Sequence, residues 1–284
     1  MRKIVKGMMP YAIVRIYQNR KRGNIVPVKL KTSVSDNGKY PDFCLKASND
    51  VLIFSNFRQN SIYREILEHV TPQLGREYLA AINDCRPGLL KDIEKIKEND
   101  IYGNPDLVEY ESTGKICPST LRYTKVLADL LNLFDSLDKL NIVEIGVGYG
   151  GQCRVINSIT SPKEYTLVDI KPALLLSQCY LDGFVLPSVM KYKTMNELKK
   201  NQYDLVISNY AFTELPRKIQ DVYLDKIILN SNCGYITYND ISPEYFQSYK
   251  KDELLKLIPN SFIINEVPLT SEKNCIITWK NNRF

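Results

Sequence analysis

A single histidine, His69, serves a chain of 284 residues. Multi-histidine metal sites are therefore excluded, and any imidazole acid–base scheme has only this side chain to use. The seven cysteines (Cys44, Cys85, Cys117, Cys153, Cys179, Cys233, Cys275) are odd in number, scattered, and contain no C-x-x-C pair. That argues against a disulfide framework or a thiolate zinc site, and for a reducing compartment, the cytoplasm. No apolar run approaches the roughly 18 residues a transmembrane helix needs, and no signal-peptide pattern opens the sequence. Repeats and low-complexity tracts are missing too. So are acids at the start: residues 1–35 hold nine basic side chains and no Asp or Glu.

What is present is ordinary globular composition, with 44% hydrophobic and 25% charged residues in a chain long enough to bury a substantial core. The net charge of +6 is carried by the first 35 residues, so the remainder is mildly acidic. A nucleic-acid-binding surface is not expected from that distribution. Seven bases within residues 2–22 surround Met8, Tyr11, Ile13 and Ile16. Near an anionic leaflet each base could contribute about 1 kcal/mol, giving a peripheral hold on the inner face of a membrane; a solvated basic arm is the alternative.

Three regions follow from the patterning: a basic amphipathic segment over 1–35, a helical region over 36–118, and an alternating strand–helix region over 119–284. In the second, Ile62, Ile66 and Val70 share one face of a helix expected from Ser61 to Val70 and closed by Pro72. More helix is expected through Asn83 and from Leu89 to Lys97. In the third, β-branched apolar runs occur at Ile142–Ile145, Tyr165–Val168, Tyr203–Ile207, Tyr235–Tyr238, Phe262–Val267 and Asn274–Trp279, with a weaker one at Val189–Lys193. Pro172 and Pro216 suit first helical turns, and Ser242-Pro243-Glu244 reads as a helix start. The alternation implies an α/β, doubly wound, mostly parallel sheet covered on both faces. The last two strands are too close in sequence for a parallel crossover and must pair antiparallel.

The strongest chemical signal is Val143-Glu144-Ile145-Gly146-Val147-Gly148-Tyr149-Gly150-Gly151-Gln152, an apolar strand entering a glycine-rich turn before a helical pattern. Glycines let the backbone turn sharply and let a ligand approach without interference from Cβ. Asp169 ends the next strand, 23 residues after Gly146, where an acid can accept hydrogen bonds from both ribose hydroxyls of an adenosine cofactor. A nicotinamide dinucleotide and S-adenosylmethionine both remain open on this pattern. Glu144, the antiparallel last pair and the short remaining chain favour the second.

Residues 119–284 resemble the class I S-adenosylmethionine-dependent methyltransferases: Glu144 and the glycine loop match that family's first motif, and Asp169 its second. A narrower resemblance, from about residue 40 onward, rests on Pro118-Ser119-Thr120-Leu121-Arg122-Tyr123, on the glycine-loop string continued to Cys153, and on Ser208-Asn209-Tyr210-Ala211-Phe212-Thr213-Glu214-Leu215. These strings are similar to the sugar O-methyltransferase family of bacterial surface-polysaccharide gene clusters. The resemblance implies a seven-stranded sheet with its last strand antiparallel, S-adenosylmethionine as cofactor, and a sugar or glycan hydroxyl as acceptor. Capsule, lipopolysaccharide or O-antigen synthesis is the implied setting. Other small-molecule methyl transfer, a dinucleotide-dependent oxidoreductase and a non-catalytic binding module are the rivals.

Ligands of such sheets sit beyond the carboxyl ends of the strands. Asn209, Tyr210 and Glu214 then fall at the methyl-transfer mouth, and Asp240 ends a strand at the same rim. Tyr149 and Tyr210 offer aromatic faces to a sulfonium. Arg122 could pair with the methionine carboxylate, with Tyr123 beside it. Glu214, Asp240 and His69 are the candidate bases, although His69 reads first as a helix C-terminal histidine held by the dipole. No spacing demands a metal. The helical region is expected to form the acceptor side of the cleft, and oligomeric state stays open.

Overall fold

Strands that are buried on both faces must be nearly continuous in apolar residues, and the central ones of the third region are. In the computed structural model, which describes residues 38–281, the strands of that region form one seven-stranded sheet. Its members are β3 (Asn141–Ile145), β4 (Glu164–Val168), β5 (Val189–Lys193), β6 (Tyr203–Asn209), β7 (Ser231–Tyr238), β8 (Phe262–Ile264) and β9 (Cys275–Lys280). The order is β5-β4-β3-β6-β7-β9-β8, with all pairs parallel except those that β9 makes with β7 and β8. This is the doubly wound sheet with an antiparallel last strand expected from the sequence. Gly234 of β7 stands opposite Trp279 of β9, and a Cβ there would lie 2.0 Å from the indole, so the only tryptophan requires that glycine.

The helices α6 (Pro118–Phe134), α7 (Gly151–Ile159) and α8 (Lys171–Leu181) follow the patterns expected, with Pro172 in the first turn of α8. Pro216 instead caps α9 (Arg217–Lys226) from outside. Residues Glu244–Phe246 form only a 3-10 turn, and α10 starts later, at Lys251–Leu257. The expected strand over Phe262–Val267 stops at Ile264.

The N-terminal region contains α1 (Lys39–Asn49), α2 (Val51–Ser55), α3 (Ser61–Ile66), α4 (Pro72–Cys85), α5 (Ile93–Lys97) and a small hairpin of β1 (Val108–Tyr110) with β2 (Gly114–Ile116). The helix expected through Val70 ends at Ile66, and Pro72 opens α4 rather than closing α3. Thr71 caps α4, its hydroxyl accepting from Leu74 N at 3.1 Å. Part of the expected Leu89–Lys97 helix is a 3-10 stretch, Pro87–Asp92. Tyr40, Phe43, Phe54, Phe57 and Tyr63 of this region share one buried cluster with α6, α7, α8 and one face of the sheet. The other face packs against α9 and α10. The basic segment 1–35 lies outside the described residues, and among the described residues no helix is long and apolar enough to cross a membrane.

Candidate functional site

The chain leaves β3 for β4 on one side while β6 pairs on the other, so a crevice opens at their carboxyl ends. There lies a cavity of about 970 Å³. Eleven of the fifteen residues singled out from the sequence line it: His69, Arg122, Tyr123, Glu144, Gly146, Gly148, Gln152, Asp169, Asn209, Tyr210 and Glu214.

The glycine loop is shaped by contacts only glycine permits. Gly146 has φ 78°, and a Cβ on it would sit 2.0 Å from the Cβ of Ala211, just past β6. Gly148, φ 55°, similarly leaves room for Leu67, which lies against it from the N-terminal region. Asp169 locks this loop: one carboxylate oxygen accepts from Val147 N (2.8 Å) and Gly148 N (3.2 Å), the other from Ile170 N (2.7 Å). A carboxylate has about four acceptor sites, so three are taken by main chain. Asp169 thus braces the loop while lining the cavity. Burial raises its pKa to about 6, against the lowering effect of those amides.

Glu144 is buried in β3 and accepts from the Tyr165 hydroxyl at 2.6 Å. Burial pushes its pKa up to about 8, against that hydrogen bond. Gln152 donates to Tyr123 O (3.1 Å) and accepts from Asn209 (3.4 Å), whose other amide atom accepts from Thr237 (3.3 Å), so both amides are oriented. Arg122 has little to hold it. Its guanidinium lies 5.4 Å from the Tyr123 ring and 3.5 Å from Leu67 O, with no carboxylate partner among the described residues.

Tyr210 follows β6 with φ 65°, a backbone state rare for an aromatic residue and characteristic of functional loops. Its amide donates to Thr237 O at 3.0 Å and its hydroxyl to Glu266, which is also bound by the amide and hydroxyl of Thr270. Glu214 ends the 3-10 turn Ala211–Glu214. One of its oxygens accepts from Asn239 Nδ2 at 2.6 Å, while burial raises its pKa against that bond. Asn239 is itself fixed by the Thr213 hydroxyl at 2.6 Å. His69, in the link between α3 and α4, has its pKa lowered by burial and then by Arg122, so the neutral imidazole is favoured near pH 7.

Four expected residues lie elsewhere. Tyr149 is fully buried, turned away from the cavity among Phe57, Tyr63, Tyr123 and Tyr180. It packs rather than lining a methyl pocket, because the glycines beside it turn the chain. Gly150 (φ 89°) and Gly151 accommodate Leu181 and the Tyr123 and Tyr149 rings. Asp240 points to Lys250 (2.6 Å) and Lys273 (3.4 Å), and the Lys250 contact holds its pKa below the usual carboxylate range. A carboxylate so held is a poor base, and it does not line the cavity.

Several lining residues went unforeseen: Tyr40, Leu67 and Tyr78 from the N-terminal region, Thr194-Met195-Asn196 after β5, Asn239 after β7, and Thr270, Ser271 and Asn274 before β9. The rule that ligands sit past strand ends could have found Thr194–Asn196 and Asn239.

No family model matches the sequence, and no curated protein matches it. Among solved structures the chain is similar to a Thermoplasma acidophilum protein, with TM-score 0.41 and 16% identity over 58% of this chain and 91% of that one. It is similar to the pyocyanin biosynthetic protein PhzM (TM-score 0.41, 13% identity, 58% of this chain and 59% of that one). A third likeness is to the mitomycin 7-O-methyltransferase MmcR (TM-score 0.40, 12% identity, 57% of this chain and 56% of that one). Likenesses at this level carry no information about substrate.

The residues present fit S-adenosylmethionine. A buried carboxyl (Glu144) and a guanidinium with no carboxylate partner among the described residues (Arg122) line the same cavity and match the ammonium and carboxylate of an amino acid. The bare backbone of Gly146 and Gly148 stands beside Asp169, where the nucleoside sugar would lie.

Proposed function

We propose that this protein is an S-adenosylmethionine-dependent O-methyltransferase whose acceptor is a sugar hydroxyl, in assembly of a surface polysaccharide. The observation that carries the cofactor reading is the combination of Glu144 and Arg122 around the glycine cradle. Bound there, the cofactor supplies an electrophilic methyl group on a sulfonium. The chain's task is to hold an acceptor oxygen in line with it and exclude water; positioning of this kind is worth on the order of 7 kcal/mol or more.

The acceptor oxygen needs a base. Glu214 lines the cavity one short turn beyond Asn209 and Tyr210, its carboxylate oriented by Asn239 and desolvated, which suits a proton acceptor near neutral pH. Proton uptake is assigned to Glu214, with its donor-held oxygen fixed and the other turned to the acceptor. Around it, Asn239, Thr270, Ser271 and Asn274 supply donors and acceptors, and Tyr78, Leu74 and Ile241 supply apolar surface. Polar groups interleaved with a flat aromatic face support a polyhydroxylated acceptor.

Calorimetry with S-adenosylhomocysteine and, separately, NAD tests the cofactor; binding of the first and not the second is expected. Transfer of labelled methyl from S-adenosylmethionine to a panel of nucleotide-sugars then tests the acceptor. Label appearing only on non-sugar alcohols would overturn the sugar assignment while leaving the methyltransferase reading intact.

A further inference from the structure

Leu74 and Tyr78 of α4 line the cavity, with Tyr78 near Tyr210, the end proposed for the acceptor. Helix α1 sits elsewhere. It packs along α8, with Ser48 O 3.5 Å from the Cys179 thiol, and α8 begins two residues after Asp169. Tyr40, Phe43, Cys44 and Ala47 form its buried stripe. Tyr40, Pro41 and Leu45 line the cavity together with Asp169, Ile170, Lys171 and Pro172.

Aromatic contacts tie this helix to the glycine loop. Tyr40 and Phe43 contact Tyr63 with ring centroids 5.9 and 6.0 Å apart, and Tyr63 in turn reaches Tyr149 of the glycine loop at 6.4 Å. Burial, then Cys44 and the Asp169 carboxylate, raise the pKa of the Tyr40 phenol, which places it within the field of that acid.

Resting on the reading of an adenosyl cofactor, we infer that α1 is the outer wall of the nucleoside end of the site, with Tyr40 and Leu45 packing against the adenosine moiety opposite Asp169 and Ile170. The N-terminal region then has two separate duties: α1 holds the cofactor's nucleoside and α4 faces the acceptor. Affinity for the nucleoside depends on a segment outside the sheet, more than 70 residues before the glycine loop.

The test uses the full chain and two probes, S-adenosylhomocysteine and 5′-methylthioadenosine, which keeps the nucleoside but lacks the amino-acid end. Tyr40→Ala is expected to weaken both by the same factor, about tenfold, and Leu45→Ala both by a smaller factor, whereas Arg122→Gln weakens only the first. In the wild-type chain, amide hydrogen exchange within 39–49 is expected to slow when either probe binds. Unchanged affinity in both α1 variants, or exchange in 39–49 that ignores a bound probe, overturns the inference. The exchange measurement stands even if Tyr40→Ala does not fold. A wild-type chain that binds neither probe overturns this inference and the cofactor reading together, and is distinguished from the other failures by that fact.

Discussion

The two ends of the cavity are built by different means. At the glycine-loop end, backbone does the shaping: three main-chain amides grip Asp169, and Gly146 and Gly148 leave space where any side chain would collide. At the acceptor end, side chains do it: Asn239 orients Glu214, Thr213 orients Asn239, and Glu266 ties Tyr210 to Thr270. A backbone-built surface tolerates few substitutions and binds one shape. A side-chain-built one can be re-specified by changing partners.

The sharpest way to break this contrast is Gly146→Ala. The new methyl would meet Ala211 at 2.0 Å in a backbone state with φ 78°, and loss of detectable S-adenosylhomocysteine binding is expected by calorimetry. Retained affinity would mean that the loop is not the cradle described. At the other end, Glu214→Gln should lower methyl transfer by about 10²–10⁴-fold while leaving S-adenosylhomocysteine affinity unchanged. If His69→Gln has that effect and Glu214→Gln does not, the base has been misassigned.

Arg122→Gln removes charge-assisted hydrogen bonds worth about 1.5–3 kcal/mol, so S-adenosylhomocysteine should bind roughly 10- to 100-fold more weakly. The smallest effect concerns protons. Glu144, with a pKa of about 8 in the free protein against 4.5 ordinarily, is protonated at neutral pH. An ammonium beside it favours the carboxylate, so ligand binding should release a proton and affinity should rise with pH up to about 8. Calorimetry in buffers of differing ionisation enthalpy reads that release. Stability carries the opposite sign: the folded state holds a proton that the unfolded state gives up above pH 4.5, so wild-type stability falls from pH 5 towards 8. Glu144→Gln lacks that loss, and its Tm relative to wild type should climb over the same interval. A pH-independent difference would remove Glu144 from the account.

This contrast also explains what could be read from sequence. The central strands of the sheet were legible because burial on both faces demands β-branched apolar runs; the edge strands β5 and β8, largely exposed, gave weaker or overlong patterns. The glycine loop and Asp169 were legible because backbone constraints appear as residue type at fixed spacing. The acceptor end was not: Tyr78, Asn239, Glu266 and Thr270 are unremarkable residues brought together by the fold. Asp240 is a candidate base on residue type alone, yet alternation past β7 sends Asn239 inward and Asp240 to Lys250. The helix expected over Ser61–Val70 had the correct periodicity, but tertiary contacts overrode its last turn. Leu67 lies on Gly148, and Glu68 is drawn to Arg58. His69 thereby enters the cavity instead of ending a helix.

Arg58 gives that detour a wider meaning. Its fully enclosed guanidinium reaches Glu68 at 2.6 Å and Asp100 at 3.2 Å while lying 4.9 Å from the Tyr149 ring. One cation thus pins the strap carrying the lone imidazole and, through the phenol beneath it, the glycine loop. The two are kept in register by a residue that does not line the cavity. A lysine at that position would offer a point charge where a planar fork is needed, and would let strap and loop drift independently.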